Sequence, residues 1–151
     1  MSRPANTIVL LPSANRTTNF TGSEVINIEG YTAARIFLDI GGTVSGTSPT
    51  LDVYIQNGIR QHGSATSAGD KAVGALKWND FAHFTQATTS STSFFIGVVG
   101  GGNFANASQD AALGAATIRN GPLGSYWRVK GAVGGTNPVF SSVSVVAELI
   151  P

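Results

Sequence analysis

The architecture of this chain is clearest in residues 35–56, which read RIFLDIGGTVSGTSPTLDVYIQ. Apolar residues occupy every second position before the glycines and again after the proline, at Ile36, Leu38, Ile40, Leu51, Val53 and Ile55. Because successive side chains of a β-strand point to opposite faces, this period of two predicts two strands with one buried face each. Proline is tolerated at the start of a strand, since its missing N–H can lie outside the ladder.

The same alternation recurs along the chain. It is regular at 94–98, 127–130 and 143–147, and less regular at 6–11, 17–20, 24–29, 80–86 and 115–119. Signals for helix are sparse, and the best of them, at 106–109, predicts at most two turns. We therefore predict an all-β protein, an antiparallel β-sandwich of jelly-roll type with eight to ten short strands. Jelly-roll and immunoglobulin-like strand orders both remain open.

A weak internal repeat relates residues 35–56 to residues 126–148. Each contains a strand, a glycine-rich turn ending in proline, and a second strand; the turns include Gly46-Thr47-Ser48-Pro49 and Gly135-Thr136-Asn137-Pro138. A β protein can reuse glycine and proline in turns without any relationship between them. In either case we expect each unit to be a long hairpin, and two such hairpins facing each other would build a sandwich.

Two Asn-Gly pairs predict tight turns. Asn57-Gly58 and Asn120-Gly121 supply the positive-φ positions that such turns require. The second pair predicts a hairpin between 115–119 and 123–130.

Two segments do not follow the strand rhythm, 57–79 and 100–114, and we expect long loops there. Connections of that length often contact partners. We expect an N-terminal arm or edge strand, 1–12, followed by a single β-sandwich domain, 13–151. The arm contains too short an apolar run for a signal peptide or a membrane span, so we expect synthesis in the cytoplasm.

The chain carries few charges. Its 151 residues include 9 Lys or Arg and 8 Asp or Glu, so 11% are charged, against roughly 25% in an average soluble domain. With 42% hydrophobic residues and a net charge of +1, the chain is not of the disordered class. The small net charge argues against nucleic acid and membrane surfaces as partners. Charges are absent from 81–109 and 131–147, where we expect core and intersubunit surface.

No pattern typical of catalysis is present. The chain has no cysteine, and the spacing of His62 and His83 matches no zinc site. Asp39 and Asp52 alternate with apolar residues, as side chains on the solvent-facing side of a strand do, and do not indicate a glycosidase pair. The sequence pattern of a nucleophile elbow is also absent. We therefore expect no enzyme activity, no cofactor, no metal ion and no small-molecule substrate.

Several aromatic residues lie on the faces opposite the aliphatic rows. Phe37, Tyr54 and Phe95 have this placement, and a contiguous surface of that kind marks an interface. We add to this surface residues that lie in or next to the two long loops. The predicted interface then comprises Tyr54, Phe95, Phe104, Arg60 and Trp78.

Four segments together resemble small β-sandwich structural proteins of tailed bacteriophage virions. They are 45–56 (SGTSPTLDVYIQ), 84–89 (FTQATT), 126–130 (YWRVK) and 133–140 (VGGTNPVF). The resemblance extends over roughly residues 30–56 and 80–148. The chain departs from the pattern at 57–79, where a short hairpin turn would be expected. These proteins are virion components and not catalysts, so no site residues follow from the resemblance.

The resemblance implies a capsid decoration protein that cements the outer surface of the assembled head. The partners would be the phage major capsid protein and copies of the chain itself in a trimer, and the location would be the virion after synthesis in the host cytoplasm. A tail, baseplate or head–tail connector component is an alternative. A carbohydrate-binding β-sandwich module is an alternative of another class, in which Trp78 or Tyr54 would stack on sugar rings.

Overall fold

The computed structural model describes residues 5–25, 28, 30–89, 93–99, 113–119 and 123–151. Eight strands occur in these ranges: β1 (Asn6–Arg16), β2 (Phe20–Thr21), β3 (Ala33–Ile40), β4 (Val44–Arg60), β5 (Leu76–His83), β6 (Ser93–Val99), β7 (Thr117–Ile118) and β8 (Tyr126–Ile150). None of the described residues is helical, so the prediction of an all-β fold is confirmed. No membrane-spanning helix occurs in the described part of the chain.

The strands form one antiparallel sheet that curls into a half-barrel. The strand order is β6-β3-β8-β4-β5-β7, and β1 and β2 pair with β8 outside this path. The sheet is therefore continuous and not clearly divided into the two stacked layers of a sandwich. The reason is the length of β8, whose 25 residues pair with both halves of the fold.

The core lies on the inner face of the curled sheet. The period of two is confirmed in β3, where alternate residues are buried. The largest fully buried side chains are Trp127, Phe84, Phe140, Leu11, Ile28, Ile36, Leu38, Ile40, Leu51, Ile55, Leu149 and Val53. Burying one such side chain stabilises the fold by about 1.5–3 kcal/mol. The indole N–H of Trp127 donates to the Leu123 carbonyl at 2.6 Å, so its polar group is satisfied in the core.

The two repeat units are not hairpins, and the prediction of hairpins was wrong. β3 and β4 lie end to end along the same side of β8, so that residues 33–58 pair with residues 126–150 in one long antiparallel ladder. Backbone hydrogen bonds from Gly41 and Gly42 to Ser142 and Ser141 continue the ladder between β3 and β4. The glycine-proline segments shift the register of the strands without reversing their direction.

The repeated glycine-proline segments face each other in the middle of this ladder. Thr47 is paired with Thr136, and the flanking residues have nearly equal backbone angles on the two strands: φ is 107° at Gly46 and 105° at Gly135. The residue before each proline also has a positive φ, 48° at Ser48 and 49° at Asn137. The internal repeat thus produces two opposed β-bulges with local two-fold symmetry.

Two further expectations of turns were wrong or lie outside the described residues. Asn57-Gly58 is not a turn, since β4 continues through it to Arg60 and the connecting loop shortens to 61–75. β7 pairs with β5 and not with β8, which overturns the predicted hairpin between 115–119 and 123–130. Asn120-Gly121, residues 100–112 and the helix predicted at 106–109 lie outside the described residues.

The N-terminal strand belongs to the chain's own sheet. β1 pairs with β8 from Asn6 opposite Leu149 to Arg16 opposite Phe140, with three register shifts on the way. The strand continues past residue 12, where the arm was expected to end.

Candidate functional site

The outer faces of β4, β5 and the first part of β8 bring together three of the predicted interface residues. Together with three residues of β8 they form what we call the aromatic–cationic face: Tyr54, Arg60, Trp78, Tyr126, Arg128 and Lys130. The face follows from strand geometry, because Val53, Ile55 and Val129 are buried on the opposite side of the sheet.

Three rows of residues cross these strands. Gly58 lies opposite Trp78 on β5 and opposite Tyr126 on β8. In the next row Gln56 lies between Asp80 and Arg128. In the third row Tyr54 lies between His83 and Lys130. Gly58 has no side chain, which allows the Trp78 ring to lie against the strand: a Cβ atom there would be 3.1 Å from that ring.

Each cation of the face lies over an aromatic ring. The guanidinium carbon of Arg60 is 5.0 Å from the centre of the Tyr126 ring, and that of Arg128 is 4.4 Å from the centre of the Trp78 ring. The Lys130 ammonium is 5.6 Å from the centre of the Tyr54 ring. Such pairs contribute about 0.5–1 kcal/mol each at exposed sites. The rings therefore have a cation against one side.

A buried relay of polar groups lies beneath Arg128. Gln56 donates its side-chain N–H to Asp80 Oδ1 at 2.6 Å and accepts from Arg128 Nε at 2.7 Å. Gln56 and Asp80 are both buried, whereas Arg128 is half-buried. Burial lowers the pKa of Arg128, and the charge of Asp80 acts in the opposite direction. The relay fixes the orientation of the guanidinium group.

His83 is buried at the other end of the face. Its Nε2 is 3.0 Å from Asp52 Oδ1 and its Nδ1 is 2.8 Å from the Leu113 carbonyl, while its ring stacks on Tyr54 with 3.9 Å between centres. Gln86 donates to the second oxygen of Asp52 at 2.7 Å. Both ring nitrogens face acceptor atoms of the fold, and through these contacts His83 ties residue 113 to the sheet.

The same neighbourhood shifts the pKa of Tyr54. Burial of the phenol, and then the negative charges of Asp52 and Asp80, raise its pKa above the ordinary value. Each of these causes disfavours the phenolate. Tyr54 therefore remains a neutral, stacked ring at physiological pH.

A second surface lies on the outer face of β6, β3, β8 and β1. Four residues in register across these strands form the apolar stripe: Phe95, Phe37, Val146 and Val9. The rings of Phe37 and Phe95 are 5.1 Å apart between centres, and the exposed fractions of Phe37, Phe95 and Val9 are 46%, 55% and 58%. An ion pair between Arg35 and Glu148 borders the stripe.

A cavity of about 230 Å³ lies where β6 approaches β5 and β7. Its described lining includes Phe84, Phe94, Ile96 and Ile118, together with His83, which contacts Asp52 and the Leu113 carbonyl. No cluster of three metal-ligating side chains occurs among the described residues.

The predicted interface residues are thus divided between two surfaces. Tyr54, Arg60 and Trp78 lie on the aromatic–cationic face, Phe95 lies on the apolar stripe, and Phe104 lies outside the described residues. The sequence reasoning missed Arg128, Lys130 and Val146, although their alternation with the buried residues of β8 places them on an outer face. Comparison of the chain with known protein families, curated proteins and solved structures found no match.

Proposed function

We propose that this chain is a non-enzymatic structural protein of a bacteriophage virion, a decoration protein that cements the outer surface of the assembled head. The apolar stripe is the observation that carries the proposal, because four outward residues in register form a surface suited to a protein contact. The virion class comes from the resemblance of segments 45–56, 84–89, 126–130 and 133–140 to phage structural proteins. The partners would be the major capsid protein and further copies of the chain, arranged as trimers.

The stripe provides the energy that cementing requires. Full burial of a Phe or Val side chain contributes about 1.5–3 kcal/mol, and covering the roughly half-exposed side chains of the stripe contributes about half of that each. The strands hold these side chains in place before contact, so little conformational freedom is lost on binding. Repetition of the contact over many equivalent sites of a shell multiplies its effect. A net charge of +1 creates little repulsion between crowded copies.

The buried polar groups support a non-enzymatic role. Asp80 is bound by Gln56, and His83 is bound by Asp52 and the Leu113 carbonyl. These contacts satisfy the groups within the fold, whereas a catalytic acid or base needs access to a substrate.

The alternatives differ in what they require of the same surfaces. A tail, baseplate or connector component could use the apolar stripe equally well, and its copy number per virion would be far lower. A carbohydrate-binding module would need open aromatic faces. Arg128 covers one side of Trp78, and His83 and Lys130 lie against Tyr54, which makes a sugar platform less suitable than a protein contact.

The test is binding of the purified protein to shells assembled from the capsid protein of the source particle without decoration. We expect near-stoichiometric binding and greater resistance of the shells to heat. The double variant Phe37→Thr, Phe95→Thr should bind at least tenfold more weakly. Ile59→Thr is the matched control, because Ile59 is 66% exposed and lies outside the stripe.

Two results would contradict the proposal. One is the absence of the chain from purified virions by mass spectrometry. The other is equal loss of shell binding in the stripe variant and the Ile59 control, which would show that the stripe is not the contact. A copy number of a few to tens per virion would favour the tail or connector alternative.

A further inference from the structure

We infer that the aromatic–cationic face binds an extended acidic segment of a different protein. This binding site is separate from the apolar stripe and does not depend on whether the chain is a virion component.

The three cations of the face are available to a ligand. Arg60 and Lys130 are exposed and Arg128 is half-buried. Within the described part of the chain, none of them forms an ion pair with a carboxylate. The Lys130 ammonium lies over the Tyr54 ring. The hydrogen bond of Arg128 to Gln56 uses Nε, which leaves both terminal nitrogens for a ligand.

The cations are also held in position before a ligand binds. Arg128 lies on the Trp78 ring and is bound to Gln56, which the buried Asp80 fixes in turn. Arg60 donates to the Tyr126 hydroxyl at 3.3 Å and to the Gly74 carbonyl at 3.2 Å. Restricting these long side chains in advance reduces the entropy lost on binding.

The spacing of the cations favours an extended peptide. Arg128 and Lys130 are alternate residues of β8, and Arg60 lies over the residue one step further along the same face, Tyr126. Alternate residues of a strand are about 6.6 Å apart. Acidic side chains at every second position of an extended peptide repeat at the same distance, and carboxylates form two parallel hydrogen bonds with a guanidinium group.

Two other occupants suit the face less well. Single-stranded nucleic acid binds by stacking bases on open aromatic rings, and the rings here already have cations against them. A second copy of the chain cannot supply the segment, because no two of its 8 acidic residues are two positions apart. The partner is therefore a different protein.

The test uses two labelled peptides of the same composition, in which three Glu residues either alternate with Thr or are contiguous. Fluorescence anisotropy is measured with the full chain in about 50 mM NaCl, where screening is weak. We expect the alternating peptide to bind at least threefold more tightly than the contiguous one, with affinity falling as salt rises. Lys130→Gln should weaken binding at least threefold, and Arg128→Gln with Lys130→Gln at least tenfold.

The matched control is Arg35→Gln with Lys71→Gln, which removes two positive charges outside the face and should leave affinity unchanged. Lys130 is exposed, so its variant keeps the fold, which thermal melting checks.

Three outcomes would overturn the inference: equal binding of the two peptides, equal effects of the two double variants, or no binding. Tighter binding of a thymidine oligonucleotide or heparin than of the alternating peptide would assign the face to another class of polyanion. The shell-binding proposal is tested with variants of the apolar stripe, and the peptide-binding inference is tested with variants of the aromatic–cationic face. The two proposals can therefore fail separately.

Discussion

Gly46 and Gly135 occupy equivalent positions on the two long strands, and each lies too close to the opposite backbone to accept a side chain. A Cβ atom on Gly46 would be 2.6 Å from the Asn137 carbonyl oxygen, and one on Gly135 would be 2.7 Å from that of Ser48. Both glycines have a positive φ. The two opposed bulges therefore depend on glycine for conformation and for space.

We expect Gly46→Ala to lower the free energy of unfolding by at least about 2 kcal/mol, since backbone strain and a steric clash add together. Urea denaturation measures the loss. Gly69→Ala is the control, because Gly69 has a φ of 94° with no atom near its missing Cβ. Gly69→Ala should show only the cost of holding a residue with a side chain at a positive φ, about 1 kcal/mol. Equal losses in the two variants would mean that the close approach contributes nothing.

Asp52 accepts hydrogen bonds from the buried His83 and from the exposed Gln86. Asp52→Ala leaves the buried His83 without this acceptor, and we expect a loss of about 1–3 kcal/mol in unfolding free energy. Asp52→Asn keeps one oxygen for His83 and should lose less. Chemical denaturation of the two variants provides the comparison. If Asn and Ala are equally damaging, hydrogen bonding to Asp52 is not the stabilising interaction.

The raised pKa of Tyr54 predicts a loss of stability in alkali. The folded protein holds the phenolic proton more tightly than the unfolded chain, whose tyrosines titrate near about 10. The contribution is complete below that pH and is lost as the pH rises through the higher folded pKa. Relative to Tyr54→Phe, the native protein should therefore become less stable as the pH rises from the unfolded value through the higher folded pKa. A pH titration followed by tyrosinate absorbance provides the measurement. The step that the native protein shows and Tyr54→Phe lacks should lie above about pH 10.

The contact of Phe37 with Phe95 should be measurable by a double-mutant cycle. The rings face each other across neighbouring strands, and we expect a coupling of about 0.5–1.5 kcal/mol in unfolding free energy. Phe37 and Val9 are the control pair, since β8 separates their strands and their effects should add. A coupling near zero for the two phenylalanines would show that the exposed rings pack independently.

The period of two was a sound guide to which residues are buried, and a poor guide to which strands pair. Ile36, Leu38 and Leu51 were placed in the core from alternation alone, and they lie there. The same glycine-proline signal can produce a chain reversal or a bulge. Thr47 pairs with Thr136, which is distant in the chain. No local sequence pattern therefore indicates whether the glycine-proline segment forms a turn or a bulge.

Asn57-Gly58 illustrates how tertiary contacts override local preference. The pair favours a tight turn in isolation. In the folded chain Gly58 lies within β4, between Trp78 and Tyr126, and its missing side chain makes room for an indole ring. Pairing with two neighbouring strands satisfies the backbone of β4 there, which outweighs the turn preference of two residues.

By itself the sequence determined that the chain is an antiparallel all-β protein and which rows of side chains face the core, because alternation is a local property of a strand. Only the tertiary structure decided that the two repeats pair with each other and that Arg128 meets Trp78 while Phe37 meets Phe95. Those contacts depend on register between strands distant in the chain. A shift of one residue would turn every outward side chain inward.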